Sequence, residues 1–589
     1  MAATRGPTVV PVIFILMAAG FAGLPAHAKY SGGSGTAKNP YRIATKADLL
    51  ALAANTKDYA LHFVLTADIS LSGQKFTLAV IASSPDVGEH YEFEGTPFTG
   101  TFDGDGHKIT GLEIDGRGTK GYLGLFGCIE GGLVKDLRLE RVSIGGSGLL
   151  TQYVGLLVGF SAGGTIINCS VAGDITGIGG PQVVGALAGM NGAGGLINRC
   201  RAVAGTTNGR SDVGGLVGRN APGARITDCR ADGGVDGELS CVGGLVGFNE
   251  GTISRSQATG AITDSEYGMA TGGLVGLNEG IIIHCRSTGD ITAGDHSLCL
   301  GALAGTNDPH GTIIDSHATG SVTGEAGTGA GGLVGGNSGV IANCYATGST
   351  TGEGTTWGSG GIAGHNVGVI ACCYATGNVT GRNAVYMGGG LVGHNDTDGM
   401  IIDCYATGNT AGFFAVGGLV GGNESAITHC YAIGKATASG TNSRTGGLCG
   451  RSYSPGQVVN SYWDTQTSGQ STSAGGTGKT TVQMQTARTF LDGAWDFKYI
   501  WDIVERQTYP FLRFNPPADL NGDGKVDLRD YARFAANWSK TCGVSTNPKA
   551  PLPACPLVGD LNYDKKADAS DLSLMAVQWL DSRGRAASQ

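Results

Sequence analysis

The chain has 589 residues, 106 of them glycine, and a formal net charge of −9 with only 15% charged residues. Glycine at this level without a Gly-X-Y period excludes collagen, and 41% hydrophobic content excludes simple disorder. No Lys/Arg-rich block supplies the basic stripe that a phosphate backbone requires, so nucleic acid is not an expected partner.

In chain order, residues 1–28 read as a signal peptide. Arg5 precedes an apolar stretch from Val9 to Leu24, and Ala26-His27-Ala28 supplies a small-x-small cleavage site. Interrupted by Pro11 and Gly20, the stretch is shorter than the ~20 residues a spanning helix needs. The expectation is a secreted or extracellular, cell-surface chain with no membrane span once mature. Residues 29–121 read as an α+β N-terminal cap, with a short helix over 44–54, a strand over 62–68, and a hairpin of 98–102 with 108–114. Asp103-Gly104-Asp105-Gly106 is read as a turn rather than a metal loop.

Residues 122–463 are dominated by self-similarity. Gly-Gly-Leu-Val-Gly-x-Asn appears at Gly214–Asn220, Gly243–Asn249, Gly272–Asn278, Gly331–Asn337, Gly389–Asn395 and Gly417–Asn423, with variants between them at a step of about 29 residues. A second ladder runs in phase: Cys169, Cys200, Cys229, Ser256, Cys285, Ser316, Cys344, Cys373, Cys404, Cys430 and Ser461, each preceded at three positions by Ile or Val. Cys/Ser and the Ala two residues on share strand parity and should point inward. The apolar Ile has the opposite parity, so a bend or bulge should reset the face between them. No unit can bury its apolar side alone. Stacking at the ~4.8 Å strand spacing predicts a mostly β protein, a β-solenoid of about 12 coils roughly 55 Å long. The asparagines at 191, 220, 249, 278, 307, 337, 366, 395 and 423 should stack their amides along the rod at a turn where Asn tolerates left-handed geometry.

Gly-Gly-Leu-Val-Gly-x-Asn followed by Asn-Cys-Tyr-Ala-Thr-Gly resembles the GLUG repeat of secreted bacterial proteins. The resemblance covers well over half of the chain and implies a β-helical surface or secreted module. It brings no catalytic residues with it.

Residues 464–516 read as a C-terminal cap and linker, whose Trp495, Trp501 and Phe511 are candidates to plug the end of the rod. Gly478-Lys479-Thr480 is not a phosphate loop, because Ser473 stands where the first glycine is needed. Past Pro516-Pro517, residues 517–581 carry the clearest chemistry, ahead of a tail at 582–589. Asp519, Asn521, Asp523, Asp527 and Asp530 place oxygen ligands at loop positions 1, 3, 5, 9 and 12, with Gly524 at the turn and Lys525 lending its carbonyl. A hard cation such as calcium needs this convergence. Asp560, Asn562, Asp564, Lys566, Asp568 and Asp571 repeat the pattern, with Lys565 in place of the turn glycine.

Two such loops ending in Asp, each followed by one helix, resemble type I dockerin modules. That resemblance implies a small α-helical calcium-binding domain, calcium as cofactor and a cohesin-type module as partner. Three features depart from the pattern: Lys565, the long connection holding Cys542 and Cys555, and Leu528-Arg529, which lacks the hydroxyls usual for cohesin recognition.

Serine replaces cysteine in three coils, which suits small buried thiols better than a paired framework, although neighbouring coils would bring pairs such as Cys344 and Cys373 within disulfide range. Cys542 and Cys555 are the better disulfide candidates. One outward position changes along the rod from Arg201, Arg230, Gln257, Arg286 and His317 to Tyr345, Tyr374, Tyr405, Tyr431 and Tyr462. Such a stripe is either a sugar- or partner-binding face or a cross-strand ladder that stabilises the rod. Neither His-Glu-x-x-His nor Gly-x-Ser-x-Gly is present. The sequence therefore favours a secreted, non-catalytic binding or structural solenoid, tethered through the calcium module and serving polysaccharide use. Its alternatives are a β-helical polysaccharide hydrolase or lyase carrying the same module, and a cell-surface adhesin.

Overall fold

The computed structural model describes residues 29–513 apart from 85–92, 117–120, 146–152, 177–182, 238–239, 265–267, 295–296, 327–328, 354–357 and 383–386. Each coil is a series of short strands joined by tight corners. In one representative coil these are Gly329–Gly331, Val334–Asn337, Val340–Ala342, Tyr345–Ala346 and Thr350–Glu353. Every strand pairs in parallel with its counterpart one coil on, so Ile341 faces Ile370 and Tyr345 faces Tyr374. Two of the resulting sheets have 12 strands and a third has 15. The whole is a β-solenoid of about 11 turns.

The interior is filled by residues in register. Leu333, Val334, Ile341, Cys344 and Ala346 of one coil stack on Ile362, Ala363, Ile370, Cys373 and Ala375 of the next, all buried. Glycine is required where backbones meet: a Cβ on Gly331 would collide with the Val334 carbonyl, and one on Gly377 with the Gly348 carbonyl of the preceding coil.

The bend expected between Ile and Cys is a single left-handed residue. It is Asp136, Asn168, Arg199, Asp228, Arg255, His284, Asp315, Asn343, Cys372, Asp403, His429 or Asn460 in successive coils, with φ between 44° and 55°. That conformation lets Ile and Cys, of opposite parity, both point inward.

The rod begins earlier than the repeat does. Tyr41–Ile43, His62–Leu65 and Thr101–Asp103 are the first three strands of the 15-stranded sheet, which continues through Leu133–Lys135. The expected hairpin is thereby corrected. Thr101–Asp103 and Lys108–Thr110 belong to different sheets, each paired in parallel with a neighbouring coil. The turn reading of the segment between them holds: Asp105 and Gly106 both have positive φ, and the Asp105 N–H donates to Asp103 Oδ1 (2.9 Å). The helix is Lys46–Ala53, started by a capping box in which Thr45 and Asp48 satisfy each other's backbone N–H groups. Its Leu49 and Leu52 join Tyr30, Ile43, Phe63 and Phe98 in closing the N-terminal end.

At the other end Trp463 occupies the position held by Ala432 one coil earlier, and its indole N–H donates to the Gln470 carbonyl (3.2 Å). Thr477–Lys479 then adds one further strand beside Tyr462–Asp464. Gly478-Lys479-Thr480 is thus part strand and part N-cap of the helix Thr481–Met484. No helix among the described residues is long and apolar enough to cross a membrane.

Candidate functional site

Two polar ladders run inside the rod. The asparagines of the repeat are fully buried, and each amide donates to the next: Asn191 to Asn220 at 2.9 Å, Asn249 to Asn278 at 2.7 Å, and so on to Asn395 and Asn423 at 2.8 Å. The same amides also donate to corner carbonyls such as Gly280 and Gly368. Stacked amides were expected; left-handed backbone at these asparagines was not realised, since it lies one corner further on, before the Cys/Ser ladder. The chain of amides stops at Ser161, which faces Asn191.

The Cys/Ser ladder has a job that its small size alone did not reveal. Past the left-handed corner, the backbone N–H of Cys344 donates to Cys373 Sγ (3.4 Å), that of Cys373 to Cys404 Sγ (3.3 Å), and that of Cys430 to Ser461 Oγ (3.0 Å). A thiol or hydroxyl can accept this bond and return its own hydrogen to a carbonyl, as Cys344 Sγ does to Ala342 (3.1 Å). This explains why serine and cysteine interchange. The 13 described cysteines are all free, and burial pushes the Cys285 thiol up to about 12. The buried ladder thiols are shielded from reaction and serve as hydrogen-bonding and packing groups.

Outside the rod, the aromatic column is the candidate binding face. His317, Tyr345, Tyr374, Tyr405 and Tyr431 stack with centroids 4.6–5.0 Å apart and planes within 7° of parallel. At that separation parallel rings stack on one another, so much of each ring's flat surface is covered by its neighbours. The flat platform that sugar stacking needs is therefore largely covered along the column.

Its C-terminal half is also covered. Residues 480–513 fold back along the side of the rod rather than plugging its end, correcting the expectation for Trp495 and Trp501. Tyr431, Tyr462, Phe490, Trp495, Trp501 and Leu512 form one buried cluster. The Trp501 indole donates to Asp403 Oδ1 (2.9 Å), the Trp495 indole to the Asn460 carbonyl (2.8 Å), and the Tyr431 hydroxyl to the Pro510 carbonyl (2.7 Å). Tyr509 and Thr481 both donate to Asp464 Oδ2 at 2.7 Å. Tyr431 is 2% exposed and Tyr462 7%, so the five tyrosines are not one open stripe. The open part runs from Arg286 through His317 to Tyr345, and the partly buried Tyr374 already packs against the lobe. Phe511, 39% exposed, lies on the outer side of the lobe.

The sequence-predicted metal ligands, Asp519 to Asp530 and Asp560 to Asp571, lie outside the described residues, as do the signal peptide and Cys542 and Cys555.

The model of the GLUG motif matches residues 151–176, 209–236, 238–263, 267–292, 385–411 and 414–437, each close to one coil. The chain carries GLUG repeats. Among curated proteins, 99 residues are 46% identical to a protein of Evansella cellulosilytica described as a Gly-rich membrane protein, covering 16% of this chain and 11% of that protein. A further 154 residues are 34% identical to halomucin of Haloquadratum walsbyi, covering 25% of this chain and 2% of halomucin. The GLUG-bearing chain thus spans only a small part of these relatives. A crystal structure described as an immunoglobulin A1 protease from Bacteroides ovatus aligns over 82% of this chain and 95% of its own, at 15% identity and a TM-score of 0.29. A second chain, described as IgA1 protease, aligns over 62% of this chain and 21% of its own, at 15% identity and a TM-score of 0.26. At such scores neither likeness bears on what the present chain does.

Proposed function

We propose that this chain is an exported, non-catalytic rod that acts as a structural or ligand-presenting element at or beyond the cell surface. In this reading it is held in place by a calcium-dependent, dockerin-like module at residues 517–581. The observation that carries the non-catalytic reading is the fate of the polar groups on the rod. Several acids on its outer faces are taken up by cross-coil pairs, Arg201 with Asp232 (2.6 Å), Arg219 with Glu250 (2.8 Å) and Arg255 with Asp228 (2.8 Å). Inside the rod the asparagines and the Cys/Ser residues are spent on the two ladders, and the buried Asp264 outside them accepts from the hydroxyls of Thr271 (2.7 Å) and Ser297 (3.1 Å). Asp228, Asp315 and Asp403, one per coil, sit at left-handed corners, and Asp403 is 6% exposed beneath Trp501. The tether rests on the ligand spacing of the two loops, and the surface location is supported by what the relatives are called.

Screening the full-length protein on polysaccharides, with and without EDTA, tests the reading. Binding or no interaction, without turnover, is the expected result. Turnover abolished by substitutions on the rod would replace it with the polysaccharide-degrading alternative, while adhesion to cells without turnover would specify the ligand-presenting role.

A further inference from the structure

The penultimate position of the Val-Gly-x-Asn strand points outward, and along the rod it is occupied by Met190, Arg219, Phe248, Leu277, Thr306, Gly336, His365, His394, Gly422 and Arg451. Two histidines in succession occur once. They are in register across adjacent coils, with ring centroids 5.5 Å apart and planes tilted by 45°, unlike the parallel tyrosines. The tilt serves their nitrogens. His365 Nε2 lies 3.1 Å from Asp396 Oδ2, and His394 Nε2 lies 3.2 Å from Glu424 Oε1.

Both acids follow the asparagine ladder directly, Asp396 after Asn395 and Glu424 after Asn423, so buried amides fix the backbone that carries them. The flanking coils place Gly336 and Gly422 at the same position. A Cβ on Gly422 would collide with Met387 Sδ and crowd His394 Cδ2. The glycine therefore leaves room for the imidazole and for a thioether beside it.

We propose that His365, His394 and Asp396 form a binding site for a divalent transition cation of the zinc class, with Glu424 as the fourth ligand, clipping three successive coils together. Among the described residues His365, His394 and Asp396 are the one group of His, Cys, Asp or Glu side chains whose ligand atoms all lie within 4.8 Å of one another; Glu424 stands outside that group and reaches it through its contact with His394. Tetrahedral zinc with Zn–N and Zn–O bonds of ~2.0–2.1 Å needs ligand atoms about 3.3 Å apart, a closure that side-chain rotation can supply. The donor set suits a borderline cation, because imidazole favours zinc, nickel or copper over calcium. Arg219 and Glu250 make the same cross-coil contact, but arginine brings its own positive charge. Arginine's charge is permanent, whereas an imidazole has a neutral form that can ligate an ion and leave the neighbouring carboxylates' charge for that ion to balance.

Cobalt(II) is the probe, added to the full-length protein in excess calcium so that the C-terminal loops are saturated with a hard cation. The expected result is one equivalent giving visible bands of a tetrahedral nitrogen and oxygen site, displaced by Zn²⁺, without the near-ultraviolet thiolate band that Cys542 and Cys555 would produce. The visible signal should be lost in His394→Asn while far-ultraviolet circular dichroism is unchanged. Should that variant not fold, Asp396→Asn, at a partly exposed position, should lower cobalt affinity by at least about 10-fold. An unchanged titration in a folded variant, a signal carrying only the thiolate band, or no binding by the unsubstituted protein would each overturn the proposal.

Discussion

The asparagine ladder inside the rod and the aromatic column outside it repeat with the same step and are both in register, yet they meet opposite surroundings. Each inner amide is spent on the next asparagine and on a corner carbonyl, with no water to replace either, so one missing member leaves a buried polar group without a partner. Each outer tyrosine has water or the C-terminal lobe beside it, and its stacking partners are replaceable by solvent. The difference teaches that register in this rod is specified from within, while the outer column marks where another part of the chain docks. Substitutions at four positions would break or sharpen that contrast.

The largest effect is expected at Trp501, where the outer column is no longer solvent-facing. Trp501→Ala removes a fully buried indole and its bond to Asp403, and should destabilise docking of residues 480–513 by about 3–5 kcal/mol. Hydrogen exchange should then rise in 480–513 and around Tyr431, while the N-terminal coils keep their protection. Asn307→Ala should cost about 3 kcal/mol, because it leaves Asn337 Oδ1 without its donor and an Asn278 amide N–H without its acceptor. Since a repeat array need not unfold in one step, the check is local: exchange should accelerate in the coils on both sides of residue 307 and not at the ends.

Cys373→Ala should cost about 1–2 kcal/mol by orphaning the Cys344 N–H, whereas Cys373→Ser, which keeps an acceptor, should cost less. Thermal melting of the pair gives the order, and equal losses would mean that the ladder is packing alone. Tyr345→Ala, in the open part of the column, should have the smallest effect, about 1 kcal/mol or less, from two lost stacking contacts. A loss as large as that of Trp501→Ala would place the register-setting interactions outside the rod.

Much of this contrast was legible before the structure. The period was visible in Gly-Gly-Leu-Val-Gly-x-Asn, and the reset of parity between Ile341 and Cys344 demanded a bend that proved to be left-handed at Asn343. Two things were not legible. Tyr431 and Tyr462 have outward parity like Tyr345, and parity alone cannot say that a segment 30 to 80 residues downstream returns to cover them, as the Tyr431–Pro510 bond does. The strands at Tyr41, Phe63 and Phe102 share a sheet with Val134, but insertions at the corners make their separations unequal, so no period betrays them. The pairing of His365 and His394 was likewise hidden inside a position that elsewhere holds unrelated residues.

The rod supplies length and surface, and the proposed tether supplies the means of attachment. Calorimetric titration of the full-length protein with Ca²⁺ tests that division most directly. The account predicts two binding events, one lost in Asp519→Ala and the other in Asp560→Ala, with unfolding of the rod unaltered. The absence of calcium binding, or binding indifferent to both substitutions, would contradict it.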